Sequence, residues 1–484
     1  MRKHTHTLLL ALLAILIPVS ARADIDVRLD GVADEWPQGV HAAADAEFMY
    51  FRLPFPELRA LLAKDKPVSI YVDLDGNEAT GRANGALGVD LEISLRHRES
   101  WRDPFFFATV FDRGGEATDI DFAKVEPLLQ PNHASESFEI RIRRDAHPTL
   151  MESGRARGAI TMTKAQRVRV EAGTVWETVS VPFEAEFPVG SPVRPVEATL
   201  PVKQNGSVRI VAHNVLWSNP DENPEPFARM YKALDPDIYL IQEWGRGPWS
   251  PEYERTLEDW FRTHVDASRD WTAVRSVGWG VAVVTHHPVI GRGPTEIRTE
   301  TLTRWDFPVR FAGAAVITPD GPFAVGSIHL KAGGSLDTPE DQRRFDEARE
   351  IRGVMQRLAL IAAGAPGDDA PVTVLGGDYN HNGHPKVPAN AIRGLDIDGS
   401  PLTMAYTPVL GTDSRYSFGG PAYGHRRSFL DYIAYPDARA EVTAAFVLDT
   451  EILSDSSLAG MGLERSDSSA ADHLPVVVDL DPKD

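Results

Sequence analysis

The sequence predicts an all-β sandwich domain followed by an α/β domain. Three observations carry that expectation. The chain has 484 residues, longer than a usual single domain, so two domains are the starting point. Up to about residue 187, short alternating apolar runs are punctuated by turn residues, whereas beyond residue 208 apolar strands alternate with helical patterns. Between them Pro188, Pro192, Pro195 and Pro201, followed by Asn205-Gly206-Ser207, mark a linker over residues 188–207.

Residues 1–23 read as a secretory signal peptide. Arg2 and Lys3 supply the charged start, residues 8–19 are apolar apart from Pro18, and Ala21-Arg22-Ala23 is an A-x-A cleavage site. The run is shorter than the roughly 20 apolar residues of a spanning helix. The mature protein is therefore expected to be secreted or periplasmic, without a transmembrane segment. Cleavage removes Arg2, Lys3 and Arg22 and no acid, which takes the formal charge from −20 to −23.

Over residues 24–187, strands are predicted at 68–72, 89–95, 138–142 and 179–183. Turns at Asp75-Gly76-Asn77 and Arg113-Gly114-Gly115 separate strands of this kind, as in an antiparallel sandwich. Over residues 208–484, one helix is expected from near Pro226 to before Asp235-Pro236. A second is capped by Thr338, with Pro339 at its first position and Glu340 and Asp341 in its first turn. Phe345, Ala348, Ile351, Met355 and Leu358 then recur at helical spacing until Gly364 and Pro366 stop it. Its arginines, Arg343, Arg344, Arg349, Arg352 and Arg357, interleave with acids, which predicts a solvated, ion-paired surface rather than a nucleic-acid face.

Composition narrows the chemistry. With 42% hydrophobic residues the chain can bury a sizeable core. The absence of cysteine removes disulfides, thiolate metal sites and a cysteine nucleophile. The acidity argues against a broad electrostatic grip on nucleic acid or anionic membrane, but not against a local basic site or a divalent cation. What remains is oxygen and imidazole chemistry, and the second domain concentrates it. Predicted strands lead into His213-Asn214, Gln242-Glu243, His329 and Gly377-Asp378-Tyr379-Asn380, while Asp431 and Asp472-His473 sit at or beside further strands. Singly, each residue could cap a turn or sit satisfied in a core. Together, polar groups at strand ends share one rim of an α/β sheet, where sites are usually built. Carboxylates with histidines are the set that metal-assisted phosphate ester hydrolysis needs.

Asn214, Gln242-Glu243, Ser327-Ile328-His329-Leu330, Gly377-Asp378-Tyr379-Asn380, Asp431-Tyr432-Ile433 and Asp472-His473-Leu474-Pro475 occur in a telling order and approximate spacing. They resemble the endonuclease/exonuclease/phosphatase (deoxyribonuclease-I-like) family over residues 208–480. The resemblance implies a four-layer α/β sandwich of two packed sheets flanked by helices, and a phosphoric ester hydrolase. It implies Glu243 as ligand for Mg²⁺ or Mn²⁺, with Asn214 and Asp472 near the metal. Asp378 would orient or deprotonate the attacking water, or protonate the leaving oxygen. Asn380 would position water or a phosphate oxygen, Asp431 would steer His473, and His329 would donate to a nonbridging oxygen. Arg426 and Arg427 read either as phosphate contacts or as a surface pair. Trp279, Trp305 and Tyr423 read as substrate borders or as packing residues.

A phosphodiesterase or nuclease is the expected activity. The alternatives are a phospholipase C or sphingomyelinase type, a small-molecule phosphomonoesterase, and a glycan-binding or adhesion protein with an inactive hydrolase fold. Leu216 stands where apurinic-site nucleases of the family carry Asp, which argues against DNA repair.

Asp30-Gly31-Val32-Ala33-Asp34-Glu35-Trp36, with Asp73-Leu74-Asp75-Gly76-Asn77 and Thr80-Gly81, resembles the start of a family 9 carbohydrate-binding module. That likeness implies a β-sandwich with Trp36 or Trp101 on a sugar and Ca²⁺ held by Asp73, Asp75, Asn77 and Asp90. An Asx-stabilised turn and core tryptophans are the favoured readings of these residues, and a structural or docking domain stands level with a glycan-binding one.

Overall fold

Burial along the strands of the second domain decides how its layers stack. The computed structural model describes residues 27–61, 67–96, 105–152, 154–166, 175–187, 195–245, 250–277, 280–299, 307–365 and 370–483. The signal-peptide expectation, Trp101, Trp279, Trp305 and the linker's first prolines lie outside these residues. Every residue of Val208–Asn214, Ile238–Gln242 and Val372–Asp378 is buried, the pattern of strands covered on both faces. Ile210 and Ala212 join one core and Val211 another, because successive side chains leave opposite faces of a strand.

Two six-stranded mixed sheets result. The first runs Thr272–Arg275, Ala282–Thr285, Ile238–Gln242, Val208–Asn214, Val476–Pro482, Ala440–Val447; the second runs Val289–Arg292, Phe311–Thr318, Gly321–His329, Val372–Asp378, Asp431–Tyr435, Thr403–Met404. Each has one parallel pair at its centre. Ile210, Leu240, Val325, Val374, Ile433 and Val478 fill the space between the sheets. Helices Pro224–Leu234 and Pro251–His264 cover the first sheet through Phe227, Tyr231 and Phe261. Helix Pro339–Ala363 covers the second through Ile351, Met355 and Leu358. This is the expected four-layer α/β sandwich.

The long helix begins as predicted, with Thr338 Oγ1 accepting from the Asp341 amide. Arg349 is exposed and paired with Asp346 and Glu350, as the sequence reading expects, but two other arginines of the helix correct that reading. Arg343 and Arg344 are 2% and 0% exposed and pair with Glu347 and Asp341 inside the protein. Arg344 Nη1 donates to Lys331 O and Gly333 O, both at 2.7 Å, so the ion pairs fasten the loop that follows His329.

The first domain is the expected antiparallel sandwich. One sheet runs Val175–Glu186, Arg155–Gln166, Val68–Asp73, Leu91–Leu95, Phe106–Phe111, Ala117–Asp119. The other runs Ala42–Ala44, Phe48–Arg59, Ser135–Arg143, Leu128–Gln130, and then crosses into the second domain through His425–Ser428 and Phe418–Gly420. Leu128 pairs with Arg427 in parallel register. From Val196 onward the seam also lies on the second domain: Val196 N donates to Ile452 O at 2.8 Å and Ser454 N to Val196 O at 2.9 Å.

Trp36 is 4% exposed and donates from Nε1 to Glu139 Oε1 at 2.7 Å; it is a core residue and not a sugar platform. Asp73 Oδ2 binds Arg157 Nε at 2.8 Å and its Oδ1 accepts the Gly76 amide at 2.7 Å. Asp75 Oδ1 accepts the Asn77 amide, Asn77 Oδ1 the Ala79 amide, and Asp90 Oδ2 the Leu74 amide. Donors of the protein itself bond these side chains, as in an Asx-rich turn, while Asp73, Asp75 and Asp90 still bring one oxygen each within 4.8 Å of one another, as the Ca²⁺ reading expected.

Candidate active site

Strand register brings the polar strand ends to one rim. His329 lies opposite Asp378, and Asp378 opposite Asp431, across three neighbouring strands of the second sheet. Asn214 ends a strand of the first sheet, with Glu243 directly after the strand beside it. Two glycines let the sheets close here. A Cβ on Gly376 would lie 2.7 Å from Leu240 Cδ1, and one on Gly377, at φ +130°, would lie 2.3 Å from Ile328 O. Gln242 Nε2 donates to Ser327 Oγ at 2.9 Å and ties the sheets at the same level. Glu243 and Asn380 take φ of 62° and 43°, left-handed conformations that cost non-glycine residues roughly 1–3 kcal/mol. Strain of this kind collects where side chains are held for a task.

Asp378 sits at the hub, 1% exposed. Its Oδ2 accepts from Asn380 Nδ2 at 2.8 Å and Asn214 Nδ2 at 3.4 Å, and its Oδ1 accepts the Asn380 amide at 2.8 Å. His329 Nε2 is 3.4 Å and His473 Nε2 3.8 Å from Asp378 Oδ2. Burial, reinforced by Asp431, pushes the Asp378 carboxyl well above the usual carboxylate range, against the pull of His473. Burial alone would lower His473, but Asp431 and Asp378 outweigh it and push the imidazole up to about 10. Its Nδ1 is 2.8 Å from Asp431 Oδ2, which also accepts from Ser417 Oγ at 2.7 Å. His473 is therefore an imidazolium at neutral pH, held between two acids.

His329 is the opposite case. Burial first, then the cations around it, hold it well below the ordinary histidine range. Arg310 Nη1 is 3.2 Å from Nδ1 and 3.0 Å from Nε2. A guanidinium only donates, so the nitrogen it binds must accept. Nε2 also faces Asp378 Oδ2 and Glu243 Oε1 at 3.4 and 3.6 Å, so that nitrogen can accept from Arg310 or, when protonated, donate to a carboxylate. Arg310 carries no motif and was not singled out by the sequence. Ser417, fourteen positions before Asp431, was equally invisible.

Glu243 Oε1 accepts from Asn214 Nδ2 at 3.3 Å, while Glu243 Oε2 is buried with no hydrogen-bond partner, as is Asp472 Oδ1. An orphaned buried carboxylate oxygen is costly unless something pairs with it, and a hard cation fits. Among the described residues no triad of ligand atoms closes around Glu243; the two that form are Asp237-His286-His287 and Asp73-Asp75-Asp90. A single carboxylate with few other ligands suits Mg²⁺ or Mn²⁺, which keep waters and bind substrate oxygens.

Other expected residues fall elsewhere. Arg427 is 3% exposed, pairs with Asp449 and Glu451 at 3.2 and 3.3 Å, and donates to Gly419 O. Its guanidinium is committed to a buried ion-pair cluster, which corrects the phosphate-contact reading. Arg426 Nη1 donates to Asn132 Oδ1 at 2.7 Å across the domain seam, with its guanidinium over Phe105. Tyr423 donates to Ser469 O. His213 is a core histidine held neutral by burial, with Nδ1 3.0 Å from the Tyr231 hydroxyl.

No family model and no curated protein matches the chain. Solved structures do. The human Nocturnin catalytic domain with bound sulfate anion is similar at 17% identity, covering 58% of this chain and 97% of that one, with a TM-score of 0.36. An endonuclease/exonuclease/phosphatase family protein from Leptotrichia buccalis is similar at 17% identity over 56% of this chain and 99% of its own, with a TM-score of 0.36. Sphingomyelinase C from Streptomyces griseocarneus is similar at 16% identity over 56% and 99%, with a TM-score of 0.33. The architecture stated above rests on the sheet order and register.

Proposed function

We propose that this chain is an exported, divalent-metal-dependent phosphoric ester hydrolase whose substrate is a phosphodiester, nucleic acid first among them. One observation carries the reading. Asp378, His329 and the Asp431–His473 pair converge on one buried rim beside Glu243, whose outer carboxylate oxygen has no protein partner. Glu243, with Asn214 beside it, would hold the cation, which when bound supplies Lewis-acid stabilisation of phosphate charge.

The chain's own residues divide the remaining work. Asp378, raised toward neutrality by burial and pinned by two amides, takes the proton of the attacking water as its oxygen bonds to phosphorus. His329 Nε2–H donates to a nonbridging oxygen as charge gathers there. The bond from phosphorus to the leaving oxygen breaks, and His473 delivers its Nε2 proton to that oxygen while Asp431 holds the ring. Asn380 keeps Asp378 oriented through both of its own donors.

Hydrolysis of bis(p-nitrophenyl) phosphate, with EDTA and then with added Mg²⁺ or Mn²⁺, tests the proposal. Turnover should vanish with chelation and return with metal. Asp378→Asn and His473→Ala should each lower kcat by at least about 10²-fold without loss of folding. Absence of metal-restored turnover on this substrate, DNA, RNA, sphingomyelin and inositol phosphates would sink the reading.

A further inference from the structure

The sequence predicted a first domain joined to the second by a proline-rich linker over residues 188–207. The contacts between the domains extend beyond that linker. They gather on the two segments that carry the candidate catalytic residues.

The first segment follows Asp378 and Asn380. His381 stacks on His133 of the first domain, with ring centroids 4.3 Å apart and planes at 30°. Ala134 N donates to Gly383 O at 2.9 Å. His381 also reaches Tyr432 and the His384 carbonyl, so its ring is held on several sides. The second segment leads into Asp431. Asn132 Nδ2 donates to Phe429 O at 3.0 Å, and its Oδ1 accepts from Arg426 Nη1 at 2.7 Å. Gln130 Nε2 donates to Arg415 O at 2.8 Å, two residues before the Ser417 that fastens Asp431. The shared sheet passes between these points, through Leu128 and Arg427. Gln130, Asn132, His133 and Ala134 thus lie within five consecutive residues of the first domain, and each meets the frame of the site.

We infer that the first domain is a positioning element of the active centre: the stretch from Gln130 to Ala134 sets the Asp378–Asn380 turn through His133 and the Asp431 strand through Asn132. The inference rests on the proposed phosphoesterase site for its effect on rate, but not for its effect on structure. Neither residue touches the reacting atoms; each acts through the backbone that presents them. A displacement of about 1 Å in such a frame can cost up to 10²-fold in rate, so even a partial loss of support is readable.

The test uses the full chain and two readouts. In His133→Ala and Asn132→Ala, kcat on bis(p-nitrophenyl) phosphate should fall about tenfold with KM within about twofold. Amide hydrogen exchange should accelerate across residues 379–384 and 428–432. His133→Phe, which keeps a flat ring against His381, should recover most of both losses. Thr109→Ala, on the strand next to the edge of the other sheet of that domain, should change neither. Unchanged kcat and unchanged exchange in both alanine variants would overturn the inference, as would exchange that accelerates uniformly over the whole chain. Should His133→Ala fail to fold, His133→Phe against Asn132→Ala carries the same comparison. A wild type inactive on every phosphoester, whose exchange still responds locally, would refute the proposed function and leave the positioning role standing.

Discussion

At the scale of single residues, environment separates groups that the sequence writes alike. His329 and His473 are both buried beside Asp378, yet burial and then cations hold the first neutral, while acids hold the second charged. The same rule gives a pH prediction away from the site. Glu139 is 1% exposed and accepts from Trp36 Nε1 and the Gly31 amide. Burial outweighs these bonds and pushes its carboxyl up to about 8. Because the folded pKa is raised, the folded state binds the proton more tightly than the unfolded chain does. Stability is then undiminished below the unfolded value near 4.5, is lost as pH rises toward 8, and stays low above it, by at most roughly 1.4 kcal/mol per pH unit. Glu139→Gln should therefore raise Tm at pH 9 and leave it nearly unchanged at pH 4. Equal Tm gains at both values would show that ionisation of Glu139 is not the cause.

At the scale of elements, the strand ends were legible and their supports were not. Asn214, Glu243, His329, Asp378 and Asp431 could be read because apolar runs announce strands, and a polar residue at the end of one stands out. Arg310 and Ser417 could not, since each acts on a residue of another strand, and pairing across strands leaves no local spacing. The buried arginines of the long helix were misread for a related reason: alternating charges look the same on a wet face and in a packed, fully paired one. Glycine contacts make the sheet arrangement testable. Gly377→Ala places a Cβ against Ile328 O and Gln242 Nε2 at a φ of +130°, and should cost roughly 2–5 kcal/mol. Gly399→Ala, also at positive φ but with no atom within 4 Å of the new Cβ, should cost only about 1 kcal/mol. Urea unfolding of both variants measures the difference, and equal costs would mean that the sheets do not approach as closely at Gly377 as described.

At the scale of the whole molecule, the two architectures expected from texture share a sheet and a core. Composition cannot reveal a shared sheet, because the partner of Leu128 lies about three hundred residues away in the chain. Apolar burial points the same way. Phe138 and Ile140 of the first domain belong to one continuous core with Tyr416, Phe429 and Ile433 of the second. Arg141 bonds the Ser414 hydroxyl and lies near the Tyr416 ring, so polar pairing and apolar packing cross the seam together. Domains that meet only through a linker unfold in separate steps, whereas a common core and a common sheet couple them. Calorimetry of the full chain should then give one transition with a calorimetric enthalpy close to the van't Hoff value. Arg141→Ala, which takes the guanidinium from the Ser414 hydroxyl and the more distant of two cations from the Tyr416 ring, should lower that single Tm and begin to split it. Two well-separated transitions in the wild type would mean that the seam does not bind the halves in solution, and that the second domain stands without its neighbour.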